Sequence, residues 1–583
     1  MDAAATKTAW LRDASRDNPC AAIGVDLRGR GGQKKIPMTS RSLRHRAPLL
    51  WLLLPLMAGL VAGRAGWLPA VPGLLAGIAA TGALLTLFGL RRGQRGMTAG
   101  LLVLSVALSG AALYHLQSRR LAAWETLPPR EARLTFRVTR LFAAARAGHT
   151  GGLAVVTMAD PPLTDLQGQR VCFSLTLGPG VAAPVRGCEL AATGLLQALP
   201  LHPPAGSFEE TMVNAGMNFQ LTRGRGTSLV RPAPAYARFC AWLHVRMEAL
   251  LNTGLEDQPE RAAVYRAMML GQKQELSPEQ HELFMHSGTM HLFAINGLHI
   301  GVVALTLHFL LACLRCPRLP AGLLVLAVLW LDVDSTGASP SAVRAFLMVA
   351  MLEAAWMARR PSNPLAAIAA AALLTLLLNP LDLFSASFQM SYAVVGMILL
   401  LGLPLAERLQ ARWPAFPDLP QAARRWHHHG RAWLRRRALS VVSMGGAATL
   451  VSSLTSVEYF GVFVTGGLMA NLLLMPLASL VIMTGVASLI LGLAGAVWVS
   501  RLCNECAGLV LGLIEWFIRL GARVPGACWT AQYRAEWIGP VALAVVVAAG
   551  LAGYATGWRR ERGGFWPPIV IVVLTLIGGV KFG

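Results

Sequence analysis

Apolar residues fill long blocks of this chain with almost no charge inside them; 47–66, 68–90, 97–116, 441–456 and 538–557 are among these runs. As helices, such runs match a hydrocarbon core of roughly 30 Å. Between the third run and about residue 235 the period switches to alternation, in "RLTFRVTRLF" (133–142), "GLAVVTMAD" (152–160), "QRVCFSLTLG" (169–178), "CELAATGLLQAL" (188–199) and "MNFQLTRGRG" (217–226), with Gly, Pro and Asp between the segments. The pattern predicts a polytopic α-helical membrane protein of about a dozen spans carrying an inserted small β-barrel, OB-like in its five strands.

Composition supports the membrane assignment: of 583 residues, 55% are hydrophobic and 14% charged. Net charge is +23, which by itself fits nucleic acid as well as cytoplasmic anchoring. The position of the basic clusters favours anchoring. With "RSLRHR" ahead of the first span inside, "RRGQRG" (91–96), the eight Arg of 407–437 and "GWRRERGG" (557–564) all fall inside as well, and the β segment falls outside. The expected organisation is a disordered cytoplasmic N-terminus (1–46), three N-terminal spans (47–117), an extracytoplasmic OB-like domain (118–235), amphipathic helices (236–290) and a channel-type domain (291–583). The chain is expected to be multi-pass in the cytoplasmic (inner) membrane, in contact with lipid. Met38 offers an alternative start.

In the first strand Leu134, Phe136 and Val138 share one face and leave Arg133, Thr135 and Arg137 on the other. Arg133 and Arg137 suit a phosphate backbone or a merely solvated face, because nine Arg stand against six acids in 131–231. Cys172 and Cys188, expected on neighbouring strands, form a disulfide in an oxidising compartment or stay as buried thiols. Metal chemistry is not supported. Cys313/Cys316 and Cys503/Cys506 fall on opposite sides of the expected topology, and the histidines of "HELFMH" (281–286) are five apart where one helix face needs four. No P-loop is present, so the chain has no nucleotide-driven motor of its own and a motor would be a separate protein; no cofactor and no catalysis are expected.

The chemistry lies where polar residues interrupt apolar runs. "LSPEQ" (276–280) carries a capping box of Ser277 and Gln280 with Pro278 at the first helical position. "HLFAINGLHIGVVALTLHFLL" (291–311) then enters the membrane with His291, Asn296, Gly297 and His299, and Asn296–Gly297 is expected to break the helix. These residues either line a wet path or bond neighbouring helices together. In "WLDVDSTGASPSAVRAFLM" (330–348), Ser339 and Pro340 open a helix that places Ser341 and Arg344 near its start. Arg344 is either an anion site or the partner of Asp332 or Asp334. "FQMSYAVVGMILL" (388–400) adds Gln389 and Ser391 at another helix start.

The stretches "MLGQKQELSPEQ", "SGTMHLFAINGLHIGVVA", "GASPSAVRAFLM", "FQMSYAVVG" and "NLLLMPLASLVIM" resemble the ComEC family of competence DNA-uptake channel proteins, over about residues 50 to 500. The resemblance implies a channel passing single-stranded DNA into the cytoplasm. Asn296, Gly297, His299, Ser341, Arg344 and Gln389 fall on motif positions. It also implies a DNA receptor, a separate nuclease and a cytoplasmic ATP-driven motor as partners. This chain departs from the pattern in having Asn296 where serine is usual before Gly-Leu-His, and in ending in apolar runs where many members carry a metallo-β-lactamase-like domain. The alternatives are an intramembrane hydrolase using His291, His299 and Asp334, or a small-solute transporter. Oligomeric state is not legible.

Overall fold

The computed structural model describes residues 47–92, 95–118, 128–142, 148–161, 163–200, 203, 207–293, 295–361, 363–416, 425–559 and 563–583. The N-terminal segment, Met38 and part of the Arg-rich 407–437 region lie outside these. Among the described residues, eight helices are long and apolar enough to cross a membrane, and four shorter apolar helices accompany them.

Helices α1 (Leu50–Arg64), α2 (Pro72–Arg91) and α3 (Arg95–Gln117) come first. The contact between α1 and α3 depends on absent side chains: a Cβ on Gly59 would stand 1.8 Å from the Ala107 carbonyl oxygen, and one on Gly110 2.5 Å from that of Leu56. Small residues let membrane helices approach where no hydrophobic effect drives them together.

Five strands follow: β1 (Arg130–Phe142), β2 (His149–Ala159), β3 (Arg170–Leu177), β4 (Glu189–Ala198) and β5 (Phe219–Arg231), with the short α4 (Phe208–Asn214) between the last two. They close into a barrel in the order β1-β2-β3-β5-β4. All neighbouring pairs are antiparallel except β3–β5, which is parallel. As the alternation predicts, Leu134, Phe136 and Val138 are buried, and the Phe136 and Phe173 rings meet at 4.9 Å inside. Arg133 and Arg137 point outward. The expected pairing of Cys172 with Cys188 is corrected: β5 lies between β3 and β4, and both thiols are free and buried.

The remaining helices are α5 (Ala235–Asn252), α6 (Pro259–Leu270), α7 (Pro278–His286), α8 (Gly297–Cys313), α9 (Arg318–Ser335), α10 (Pro340–Met357), α11 (Pro364–Leu378), α12 (Ala386–Met397), α13 (Leu403–Arg412), α14 (Trp426–Phe460), α15 (Gly467–Leu493), α16 (Val497–Ala522), α17 (Ile538–Ala555) and α18 (Trp566–Gly579). Strands β6 (Val462–Val464), β7 (Cys528–Tyr533) and β8 (Val580–Phe582) tie the ends of α14, α16 and α18 into a small sheet. Helices α8, α10, α12, α14 and α15 each lie against the next, and α15 returns to α8, closing a ring.

The barrel docks on one end of this bundle. Arg186 pairs with Asp334 at the end of α9. Arg64 reaches Glu210 at 3.7 Å and Asn214 at 3.4 Å, and lies 4.4 Å over the Phe384 ring. The basic helix ends gather at the other end: Arg408 donates to the Trp558 carbonyl at 2.6 Å, and Arg318 lies 5.1 Å over Trp356.

Burial pushes the Cys172 thiol up to about 11. The native protein should therefore keep Cys172 unalkylated at pH 8 while Cys313, exposed at the end of α8, reacts. After denaturation without reductant, peptide mapping should find Cys172 and Cys188 each carrying the alkylating group; a linked 172–188 peptide would contradict this.

Candidate functional site at the barrel-facing helix ends

Four of the five ring helices begin near the barrel. Serine or asparagine caps three of them: Asn296 on α8, Ser339 on α10 and Ser385 on α12. The fourth, α15, follows the strand holding Val464, which a Cβ on Gly288 would approach to 3.1 Å. Helix α14 ends at the same place, where the Tyr459 hydroxyl donates to Gln389 Oε1 at 2.8 Å. Backbone dipoles thus present mostly N-terminal, electropositive ends to the barrel side.

The first cluster is built on Asn296. The capping box at Ser277 forms as expected, α7 stops at His286, and Gly288 turns the chain with φ +67°. A 3₁₀ turn (Met290–Phe293) leads into α8. Asn296–Gly297 is therefore a helix start and not a break within a helix. Asn296 Oδ1 accepts from Leu298 N at 2.9 Å and lies 3.2 Å from His299 Nδ1, while its Nδ2 donates to the His291 carbonyl at 2.8 Å. His291 Nδ1 lies 3.0 Å from the Gly288 carbonyl, and His299 is buried. One asparagine thus joins both histidines and the helix start. Gly297 itself is not crowded, since a Cβ there would meet nothing within 4 Å.

Arg344 anchors the second cluster. It sits one turn inside α10 and is 1% exposed. Its Nη2 donates to Ser387 Oγ and to Ser391 Oγ, the latter at 3.4 Å, while Nε and Nη1 have no partner among the described residues. The expected alternative partner Asp334 is taken by Arg186. The carboxylate whose charge reaches Arg344 is Asp382, on the 3₁₀ turn Pro380–Phe384, held there by Asn379 Nδ2 at 2.7 Å. Tyr392 completes the wall, with its hydroxyl 2.9 Å from Thr375 Oγ1. Gln389 ties the loop to α14 by donating to the Leu383 carbonyl at 3.2 Å, and Ser341 lies half-buried in the first turn of α10. A buried guanidinium with a half-empty fork beside two hydroxyls is chemically a receptor for an oxyanion.

His291, His299 and Asp334 do not form one catalytic group. Each has a separate partner: Gly288 O, Asn296 Oδ1 and Arg186. On the barrel, Arg137 is neutralised by Glu189 at 3.1 Å, which weakens it as a phosphate contact. Arg133 instead lines up through Thr193 with Arg225 across β1, β4 and β5. Sequence reasoning missed Arg225, Ser387, Asp382 and Tyr392. Alternation in β5 signalled Arg225, whereas nothing local marked residues some forty positions from Arg344 as its neighbours.

A family model described as "Competence protein" matches residues 268–560, half of the chain. The chain is 33% identical over 142 residues to "ComE operon protein 3" of Bacillus subtilis (strain 168), a stretch covering 24% of this chain and 18% of that protein. No solved structure matches.

Asn296→Ala should lower stability by about 2 kcal/mol, through loss of the cap and of the bond to His291 O. Asn296→Ser should cost less, because serine also caps. Denaturation in detergent, followed by circular dichroism, checks the order of the three proteins; equal stability of all three would count against the cap.

Proposed function

The chain belongs to the competence protein family, and on that premise we propose that it is a channel passing single-stranded DNA across the cytoplasmic membrane. The observation that carries this reading is Arg344: a guanidinium 1% exposed, with Nε and Nη1 unpaired, at the barrel-facing end of a closed helix ring. Desolvating a cation costs several kcal/mol, and although the charge of Asp382 reaches Arg344, no acceptor among the described residues bonds Nε or Nη1. A phosphodiester arriving between Arg344, Ser387 and Ser391 supplies the missing partner. Helix N-termini around the mouth favour the same charge.

The barrel's strand order and its parallel β3–β5 closure support an OB-like domain that presents DNA to this mouth through Arg133 and Arg225. We read the eight long and four shorter apolar helices, together with α9, which returns the chain from the end of α8 to the start of α10, as about a dozen spans, with the basic ends and the N-terminus cytoplasmic and the barrel outside. On this reading the protein is a conduit, and a receptor, a nuclease and a motor act as separate partners.

Arg344→Ala should abolish internalisation of labelled DNA by competent cells while the protein still reaches the membrane. Arg344→Lys should recover only part, having lost the planar fork. Arg344→Met combined with Asp382→Asn separates function from structure: the buried charge and the carboxylate facing it leave together, so thermal stability should be nearly unchanged while uptake is lost. Normal uptake in Arg344→Ala would overturn the reading.

Orientation has its own test, in a background without other exposed cysteines. His149→Cys on the barrel and Gly430→Cys on α14 should label from opposite sides of the membrane; labelling from one side would reverse the assignment.

A further inference from the structure

Helix α14 is longer than a membrane requires. Its 35 residues extend roughly 52 Å, against a hydrocarbon core of roughly 30 Å. The bond from Tyr459 to Gln389 fixes its C-terminal end on the barrel side, so the surplus, residues 426–437, projects at the opposite end. The projection is braced. Gln410 of α13 donates to Ser440 Oγ at 2.9 Å, and Arg435 donates to the carbonyls of Trp413 and of Pro414, the latter at 3.1 Å.

The outer surface of this helical hairpin combines two chemistries. Trp426 is 85% exposed and Trp433 56% exposed; seven residues apart, they share one helix face. Arg437 is exposed on that face and Arg436 at its edge, while Arg431 is exposed about 140° round the helix from Trp426. These three have no side-chain partner among the described residues, whereas Arg408 and Arg435 are occupied by carbonyls.

Anchoring at the membrane surface accounts for only part of this. Headgroups add about 5 to 8 Å on each side of the core. Trp433, roughly 12 Å along the helix from Val441 where the apolar run begins, and Trp426, roughly 22 Å from it, both lie beyond that depth. Indole faces interleaved with free guanidiniums suit a flexible polyanion with unpaired bases: the bases stack, and the phosphates take the forks.

We propose that the α13–α14 hairpin is a receiving site for single-stranded DNA on the face opposite the barrel, with Trp426 and Trp433 as stacking platforms and Arg431, Arg436 and Arg437 as phosphate contacts. The site rests on the reading of the ring as a DNA passage. It continues the wall of that ring, since α14 is one of its five helices.

The test uses the full chain in inside-out membrane vesicles and a 20-nucleotide oligodeoxynucleotide carrying 5-iododeoxyuridine. Near-ultraviolet irradiation should cross-link it to peptides containing Trp426 or Trp433. Trp426→Ala combined with Trp433→Ala should weaken binding on this face about tenfold or more. Changing Arg431, Arg436 and Arg437 to Gln should flatten the logarithmic salt dependence by about two. Cross-links confined to other peptides, or quenching of Trp426 fluorescence by brominated lipids in place of DNA binding, would overturn the site and assign the hairpin to the membrane surface. The two readings fail separately. Normal uptake in the double tryptophan variant with uptake lost in Arg344→Ala removes the receiving site and keeps the channel. Cross-linking to Trp426 with normal uptake in Arg344→Ala removes the channel and leaves only a DNA-binding surface.

Discussion

A helix that starts at or within a membrane has backbone amides with no partner along its own axis, and hydrocarbon offers none. The bundle meets this constraint with side chains: Ser277, Asn296, Ser339 and Ser385 each accept from an amide of the helix they begin. Those caps determine where α7, α8, α10 and α12 start, and hence where the side chains of their first turns stand. Arg344 lies five residues after one cap and Ser391 six after another. The polar mouth and the helix starts are the same residues viewed from two directions.

Within that mouth, polar groups are satisfied unequally. Asn296 uses both ends of its amide, and Gln389 uses both of its own. Arg344 leaves two nitrogens without acceptors although almost no water reaches it. Buried groups are normally paired, because desolvating a donor without a partner costs free energy that packing must offset. His299 Nε2 and Asn379 Oδ1 in the same region also lack partners among the described residues, so what distinguishes Arg344 is that its unpartnered donors carry a charge.

The barrel bears on the same mouth through a few polar contacts. Arg64, Asn214 and Arg186 hold it against Phe384 and Asp334, and Phe384 belongs to the turn that carries Asp382. At the far end, the basic residues divide into those spent on carbonyls and those left outward, which separates structural arginines from available ones.

Much of the architecture was legible in the amino-acid order because it depends on local periodicity. Apolar blocks marked the spans, alternation marked all five strands and the inward faces of Leu134, Phe136 and Val138, and capping signatures placed the starts of α7 and α10. The family likeness rested on short contiguous stretches, which the family match confirms. What failed depended on residues distant in sequence. Strand order put β5 between β3 and β4 and separated Cys172 from Cys188, because closure of a barrel is decided by which edges meet and not by succession along the chain. Asp334 went to Arg186, 148 residues away, so it paired with neither Arg344 nor the histidines. Pattern along a chain reports the solvent each residue expects; only packing decides which charge faces which, since electrostatic and hydrogen-bond partners are chosen by distance in space.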